Sequence, residues 1–190
     1  MHFKITLPAL KADDAERGAK DVLAGARKQL GMVPNMYANM ANAPELLETY
    51  SVGYAGFRAH SGFTPAEQEV VFLTISAENE CTYCVAAHSV LADRASGVPV
   101  EVTDSIRNRE RVGDARLRAL HEATLDLIRS RGWPSSEKVR AFLDAGYTER
   151  QLLYLVLAAS VKLISNYANH LFQTPVDTAF ASRKWEPPTR

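Results

Sequence analysis

The sequence predicts an all-α fold, and three features of the chain support this prediction. Apolar residues recur at helical spacing in most segments, for example between Asp114 and Arg131. Gly and Pro residues interrupt this spacing where helices usually end or begin. No segment shows the alternation of apolar and polar residues that is typical of a half-buried strand. The chain has 190 residues, which is enough for one domain with a single substantial core.

The N-terminal part of the chain is predicted to form three helices. The first runs from Asp14 to Leu30 and ends at Gly31, because glycine is favoured just after a helix C-terminus. A short helix through Met40 follows, with Asn35 or its neighbour as a candidate N-cap. Pro44 suits the first turn of a third helix that extends to about His60.

The middle of the chain is predicted to form a helical hairpin followed by a short helix. Thr64 and Glu67 make a capping box for a helix from Pro65 to about Glu78, which is too apolar for a surface helix. A second helix extends from about Thr82 to Ser96 and is ended by a Gly-Val-Pro sequence. Thr103 to Arg109 is a further short helix.

The C-terminal part of the chain is predicted to form three more helices. Asp114 to Arg131 is amphipathic, and Glu137 to Ala145 follows a break that is rich in Gly, Pro and Ser. Thr148 caps a long helix through about Phe172. Because that helix is apolar nearly all round, we expect it to be central in the core or buried in a subunit contact.

Composition excludes several kinds of partner. The chain has 22 Lys and Arg residues and 22 Asp and Glu residues, so a nucleic acid or an anionic membrane surface is not expected as the main partner. A transmembrane helix is not expected either, because no run of 18 apolar residues occurs. The N-terminus lacks a signal pattern, which predicts a cytoplasmic protein. In that compartment a Cys-x-x-Cys pair is more often catalytic or metal-binding than a structural disulfide.

The candidate functional residues lie in one short stretch. Cys81 and Cys84, which are the only cysteines in the chain, precede His88 by seven and four residues. If a helix begins at Cys81, the three side chains share one of its faces. A thiol reacts as its thiolate, and both a helix N-terminus and a neighbouring imidazole favour that form at Cys84. The spacing therefore indicates thiol–disulfide chemistry with a built-in base.

Glu69 is the candidate partner that orients His88. It lies in the apolar helix before the cysteines, and an antiparallel hairpin would bring it back beside the imidazole. A carboxylate in such a helix needs a paired environment.

Other interpretations of these residues remain open at this point. The cysteines are also consistent with two small buried residues, and Glu69 with a solvated helix residue. Two Cys and one His would bind zinc if a fourth ligand came from elsewhere, although structural zinc sites usually draw on two separated pairs. Asn166 and His170, on the last long helix, are interpreted as a buried polar cluster or an interface pair.

Taken together, these motifs resemble a known family. Glu69 followed by Cys81-x-x-Cys84-x-x-x-His88 is similar to the active-site signature of the alkylhydroperoxidase D (AhpD)-like branch of the carboxymuconolactone decarboxylase superfamily. The Gly-Met-Val-Pro-Asn turn at residues 31–35 and the Asn-Tyr-Ala-Asn-His segment at 166–170 resemble its longer, peroxidase-related members. The resemblance covers most of residues 30–180. Characterised antioxidant members often have a second His between the cysteines, where this chain has Tyr83.

The resemblance implies an all-helical AhpD-like bundle in which the Cys-x-x-Cys pair begins a core helix. Residues 1–190 would form one such domain, with a core at about 40–130 and C-terminal helices at 134–180. It also implies assembly into trimers or hexamers and reduction of hydroperoxides. Cys84 would match the peroxidatic thiol, Cys81 the resolving thiol, His88 the base and Glu69 its orienting acid.

The expected function is therefore that of a thiol-dependent peroxidase acting on alkyl hydroperoxides. Cys84 would be oxidised to a sulfenic acid, Cys81 would condense with it to a disulfide, and an external dithiol would reduce that disulfide. No organic cofactor or metal is required. The alternative from another functional class is a non-catalytic redox sensor, in which the disulfide changes subunit packing.

Overall fold

The computed structural model describes residues 2–188 and confirms the all-α prediction. No strand occurs in this part of the chain. A π-helix at Ala92–Ser96 and a 3₁₀-helix at Thr178–Arg183 supplement the α-helices. The α-helices are α1 (Arg17–Leu30), α2 (Asn35–Met40), α3 (Pro44–His60), α4 (Pro65–Glu78), α5 (Thr82–Leu91), α6 (Val100–Asn108), α7 (Ala115–Arg129), α8 (Ser136–Asp144) and α9 (Glu149–Phe172).

Most predicted boundaries agree with these helices, and the exceptions have local causes. The capping boxes at Thr64 and Thr148 are both present. The prediction that α1 starts at Asp14 is wrong, because Asp14 closes a turn by donating its N–H to the Lys11 carbonyl. Glu16 is then extended, and the helix begins at Arg17. The helix predicted through Ser96 keeps α-helical hydrogen bonding only to Leu91 and continues as the π-helix.

Helix α4 lies at the centre of the fold. It packs against α5, α6, α7 and α9, and every residue from Glu67 to Ala77 is buried. This explains why its sequence is apolar on all sides. A carboxylate on this helix is necessarily removed from water, and Glu69 is 1% exposed.

Helix α9 is partly buried rather than fully enclosed within the single chain. Leu155, Ala158 and Val161 face α3 and α4, and the two helices α3 and α9 approach closely at Gly53. A Cβ atom there would lie 2.7 Å from Val161 Cγ2, so only glycine fits without a shift. The opposite face of α9 is exposed and carries Leu153, Val156, Leu163, Tyr167 and Leu171.

Among the described residues, α9 is also the one helix that is long and apolar enough to cross a membrane. That finding concerns length and composition only, and the core helices of soluble proteins have the same properties. The buried face of α9 packs on other helices of this chain.

A C-terminal segment, which we call the strap (residues 174–185), returns across the molecule to α5. Asp177 accepts hydrogen bonds from the Tyr83 hydroxyl at 2.5 Å and from the Asn35 backbone N–H. At the far end of the strap, the Trp185 indole donates to the Arg107 carbonyl at 3.0 Å. The strap therefore connects the cysteine-bearing helix to the start of α2.

Candidate active site

The turn between α4 and α5 places both cysteines at a helix N-terminus. Glu80 has a left-handed backbone conformation (φ 57°), which turns the chain sharply after α4. Cys81 is the N-cap of α5, and its sulfur accepts the Cys84 backbone N–H at 3.4 Å. Cys81 and Cys84 are 0% and 2% exposed, and both are reduced. The pair thus begins a core helix, as the sequence predicts.

Both cysteine sulfur atoms lie near the side-chain amide of Asn169 on α9. Asn169 Nδ2 is 3.3 Å from Cys84 Sγ and 3.8 Å from Cys81 Sγ. A donor in this position stabilises a thiolate more than a thiol. The helix N-terminus acts in the same direction.

The two cysteines have opposite pKa shifts. Burial opposes ionisation of Cys84, but a hydrogen bond from Cys81, the charge of Lys162 and the Asn169 amide together hold the Cys84 pKa well below its usual range. Burial and the neighbouring Cys84 raise the pKa of the Cys81 thiol. Of the two thiols, Cys84 is therefore the one that ionises more readily.

Glu69 and His88 form a buried pair. Burial alone would raise the pKa of Glu69, but His88 and Arg58 outweigh it and hold that pKa below its usual range. The carboxylate accepts the His88 Nδ1–H at Oε2, at 2.8 Å, and a guanidinium N–H of Arg58 at Oε1. Since Nδ1 carries the proton, His88 Nε2 presents a lone pair. Burial and Lys162 lower the His88 pKa, so the imidazole is neutral near pH 7.

Lys162 is a site residue that the sequence analysis missed. Its Nζ lies 2.9 Å from His88 Nε2, and the side chain is only 1% exposed. Lys162, Asn166 and Asn169 stand at i, i+4 and i+7 on α9, so they form one polar stripe on an otherwise apolar helix. That spacing is the signal in the sequence that would have revealed Lys162 and Asn169.

The other residues singled out from the sequence are arranged differently. Asn166 is buried and accepts a hydrogen bond from Asn79 at 2.9 Å, whereas His170 is exposed and stacks on Tyr167. The predicted buried cluster therefore includes Asn166 but not His170. His121 contacts Thr74 at 2.8 Å and lies outside the site.

Tyr83 occupies the position between the cysteines but points to the strap instead of the Glu69–His88 pair. Its hydroxyl donates to Asp177 Oδ2. Burial and Asp177 raise the Tyr83 pKa above its usual range, so the phenol remains protonated. The contact with Asp177 therefore links Tyr83 to the strap.

A cavity of about 680 Å³ opens onto Cys84. Its walls are mostly apolar and aromatic, and Tyr37, Tyr50 and Tyr54 form a continuous series of ring contacts that leads to Phe72. Burial and Tyr54 raise the Tyr37 pKa to about 12, so this hydroxyl is a neutral hydrogen-bonding group. Other lining residues are Met32, Met36, Arg58, His88, Lys162 and Phe180.

The described side chains offer no group of three or more His, Cys, Asp and Glu residues arranged to hold a metal ion. His88, which the zinc interpretation requires as a ligand, instead uses both ring nitrogens for Glu69 and Lys162.

Comparison with known proteins finds one family model that matches part of this chain. Residues 44–126, which include Glu69, both cysteines and His88, match the model of the Carboxymuconolactone decarboxylase family. The matched segment extends from the start of α3 into α7, and so contains the central helix α4 and the cysteine-bearing α5. No curated protein matches the sequence.

Solved structures show that the fold is AhpD-like. The alkylhydroperoxidase AhpD core of a peroxidase-related protein from Ralstonia eutropha JMP134 is similar, with a TM-score of 0.82 and 20% identity, over 95% of this chain and 96% of that chain. A peroxidase-related protein from Silicibacter sp. TM1040 gives 0.76 and 18%, over 96% and 98%. The debrominase Bmp8 in complex with 2,3,4-tribromopyrrole gives 0.75 and 15%, over 95% and 96%.

Proposed function

We propose that this protein is a thiol-dependent peroxidase that reduces alkyl hydroperoxides through Cys84 and Cys81. The observation that carries the proposal is the placement of two thiols at one helix N-terminus around one amide group. Asn169 Nδ2 lies 3.3 Å from Cys84 Sγ and 3.8 Å from Cys81 Sγ, and these surroundings lower the pKa of Cys84. The family match and the peroxidase-related structural neighbours support this function at the level of the family.

The reaction proceeds in two steps on the enzyme. The Cys84 thiolate attacks the distal peroxide oxygen, an S–O bond forms as the O–O bond breaks, and the alkoxide leaves as the alcohol after taking up a proton. Cys81 then attacks the Cys84 sulfenic acid, so that an S–S bond forms and water leaves. Glu69 and His88 form the proton relay. Glu69 accepts the Nδ1–H of His88 and so orients the imidazole, whose Nε2 lone pair points away from the carboxylate.

The surroundings of Cys84 indicate which class of substrate and which kind of reductant the enzyme uses. The apolar, aromatic cavity suits the organic group of an alkyl hydroperoxide better than hydrogen peroxide. An external dithiol restores the two thiols, which agrees with a reducing compartment such as the cytoplasm. The chemistry uses no organic cofactor.

The exposed face of α9 supports a homo-oligomer, either a trimer or a hexamer. Leu153, Val156, Leu163, Tyr167 and Leu171 follow one another at spacings of three, seven, four and four residues, which places them on one side of the helix. An exposed apolar stripe of this length on a monomer usually marks an interaction site.

Peroxide consumption with dithiothreitol as the reductant tests the proposed function. Wild-type protein should turn over cumene hydroperoxide, and Cys84→Ser should lose this activity. In the absence of dithiothreitol, Cys81→Ser should react once and then accumulate a Cys84 sulfenic acid, which dimedone traps for detection by intact mass. Ser182→Ala, which alters a hydroxyl on the strap outside the cavity lining, is the matched control and should retain the wild-type rate. Equal rates for wild type and Cys84→Ser would remove Cys84 from the chemistry, while a single change in oligomer size without turnover would favour the redox sensor.

A second candidate is reductive removal of a halogen from a small aromatic molecule. The observation in its favour is the series of tyrosine rings in the cavity, together with the similarity to a debrominase solved with a brominated pyrrole. Removing bromide from a ring also consumes two electrons and a proton, which a Cys pair supplies when it becomes a disulfide. Bromide release from a bromopyrrole with dithiothreitol, compared with peroxide consumption, separates the two reactions.

A further inference from the structure

The cavity beside Cys84 is far larger than a peroxide group requires. Its volume of about 680 Å³ falls in the range of roughly 300–1,000 Å³ that is typical of sites for organic ligands of drug size. Hydrogen peroxide is hardly larger than a water molecule. The chemistry at Cys84 therefore accounts for only a small part of this volume, and the rest of the cavity requires an explanation of its own.

One face of α1 forms a wall of this cavity. The lining residues of α1 follow one another at spacings of three, one, three and one residues, which places them on one side of the helix. They are Val22, Gly25, Ala26, Gln29 and Leu30. Leu30 is exposed and Ala26 is buried, so the wall extends from the protein surface into the interior.

The gap between α1 and α3 widens along this face. Gly18 and Gly25 are seven residues apart and so lie on the same side of α1. A Cβ atom at Gly18 would lie 1.7 Å from Glu48 Oε1 of α3. Among residues 2–188, a Cβ atom at Gly25 would have no neighbour within 4 Å apart from the backbone of its own helix. Helix α1 therefore contacts α3 near Gly18 and stands apart from it near Gly25, where the cavity lies.

Gly25 serves none of the purposes that usually place glycine in a fold. A glycine inside a helix destabilises that helix relative to alanine, and it is needed where φ is positive or where two backbones approach closely. Gly25 is not among the residues with positive φ, and it has no close neighbour. A side chain at this position would project into the cavity, so the glycine keeps that part of the cavity open.

Other walls of the cavity suit an aromatic or branched apolar group. Tyr50 and Tyr54 on α3 present stacked rings whose centroids are 5.6 Å apart, and aromatic rings pack favourably against further rings. Met32 and Met36 also line the cavity, and methionine side chains adapt to irregular apolar shapes.

We propose that Gly25 sets the size of the organic group that the site accepts, and that the substrate is a hydroperoxide whose aromatic or branched group extends from Cys84 to α1. The inference rests on the proposed function for the reacting O–O bond. The size limit itself applies to any molecule that reaches Cys84 through this cavity. Gly25 has no side chain to take part in the reaction, so it determines specificity alone.

The test compares two thiol reagents that share a reactive group and differ in size. Iodoacetamide and its N-phenyl derivative, iodoacetanilide, alkylate Cys84 in a Cys81→Ser background, where Cys84 is the sole thiol of the chain, and intact mass follows each reaction. The ratio of the two rate constants is the readout, because both reagents consume the same thiolate and a change in its pKa cancels. Gly25→Leu should lower the ratio of iodoacetanilide to iodoacetamide by roughly tenfold or more, since a misfit of one methylene in an apolar pocket already discriminates by about that factor.

Gly56→Leu is the matched control. Gly56 is a glycine within α3 whose Cβ atom would also have no neighbour within 4 Å among the described residues, but it does not line the cavity. This variant should keep the parent ratio. If Gly25→Leu does not fold, Gly25→Met gives the same comparison, because its unbranched side chain is well suited to a helix.

A ratio that stays within about twofold of the parent in the folded Gly25 variant would overturn the proposal. In the chain with both cysteines, Gly25→Leu should lower kcat/KM for cumene hydroperoxide much more than kcat/KM for ethyl hydroperoxide. Alkylation needs no turnover, so it separates the two ideas. A lowered ratio without peroxide consumption by the wild type would refute the peroxidase alone, and turnover with an unchanged ratio would refute the role of Gly25 alone.

Discussion

Replacing Glu69 with glutamine should destabilise the fold strongly, although the two side chains have nearly the same shape. The carboxylate receives Arg58 at one oxygen and the His88 Nδ1–H at the other, and it is 1% exposed. A glutamine amide has one acceptor oxygen and one NH₂ group. In either orientation of the amide, its NH₂ group faces an N–H donor of Arg58 or of His88. In both cases Arg58 loses its counter-ion.

The size of the effect follows from the burial of the two partners. Removing one member of a fully buried ion pair costs roughly 3–5 kcal/mol. The Arg58 side chain is 23% exposed, so water recovers part of its solvation. We therefore expect Glu69→Gln to lower the free energy of unfolding by about 2–3 kcal/mol.

Urea unfolding of a double-mutant cycle measures this effect. Arg58→Met, Glu69→Gln and the double variant should show a coupling of roughly 1–3 kcal/mol, since the second change removes a group that the first left unpaired. Glu137→Gln, whose parent side chain is 86% exposed, is the control and should stay within about 0.5 kcal/mol of wild type. Additive effects of the two substitutions would refute the reasoning that the carboxylate and the guanidinium stabilise each other.

Three further predictions concern other parts of the molecule. Tyr83→Phe removes the hydrogen bond to Asp177 and should lower the free energy of unfolding by roughly 1.5–3 kcal/mol in urea titrations, whereas an unchanged midpoint would show that the strap is held by other contacts. Burial lowers the His121 pKa from 6.5 to about 4, so the unfolded chain binds more protons between these values and stability should fall as the pH falls through this window. His121→Gln should flatten that dependence by at most roughly 3 kcal/mol, and an unaltered slope in pH-dependent urea unfolding would contradict the assignment. Leu163→Glu, on the exposed face of α9, should reduce the oligomer size measured by sedimentation, and an unchanged size would exclude this face from the subunit contact.

The parts of the site that are close in sequence could be predicted from the sequence. The positions of Cys81, Cys84 and His88 relative to each other are set by one helix turn and its N-terminus, so their spacing is sufficient. Glu69 could be placed because a hairpin with a short turn constrains which residues of α4 return beside α5. The capping box at Thr64 fixed the start of that hairpin.

The parts that depend on distant packing could not be predicted in the same way. Lys162 lies 74 residues from His88 in sequence, and Asn169 lies 85 residues from Cys84. Periodicity shows that α9 has an apolar face, but not which neighbouring helix that face meets. The link between Tyr83 and Asp177 spans 94 residues and depends on the path of the strap, which has no periodic pattern.

Charged groups lie where α3, α4, α5 and α9 meet, although apolar side chains would fill this space more favourably. Well-packed apolar replacements of buried ionic clusters are often as stable as the originals or more so. A variant carrying leucine or methionine at Arg58, Glu69, His88 and Lys162 together would thus be expected to remain a folded bundle with a higher melting temperature and an inert pair of sulfurs. In this protein, reactivity and maximal thermal resistance are alternative uses of the same interior volume.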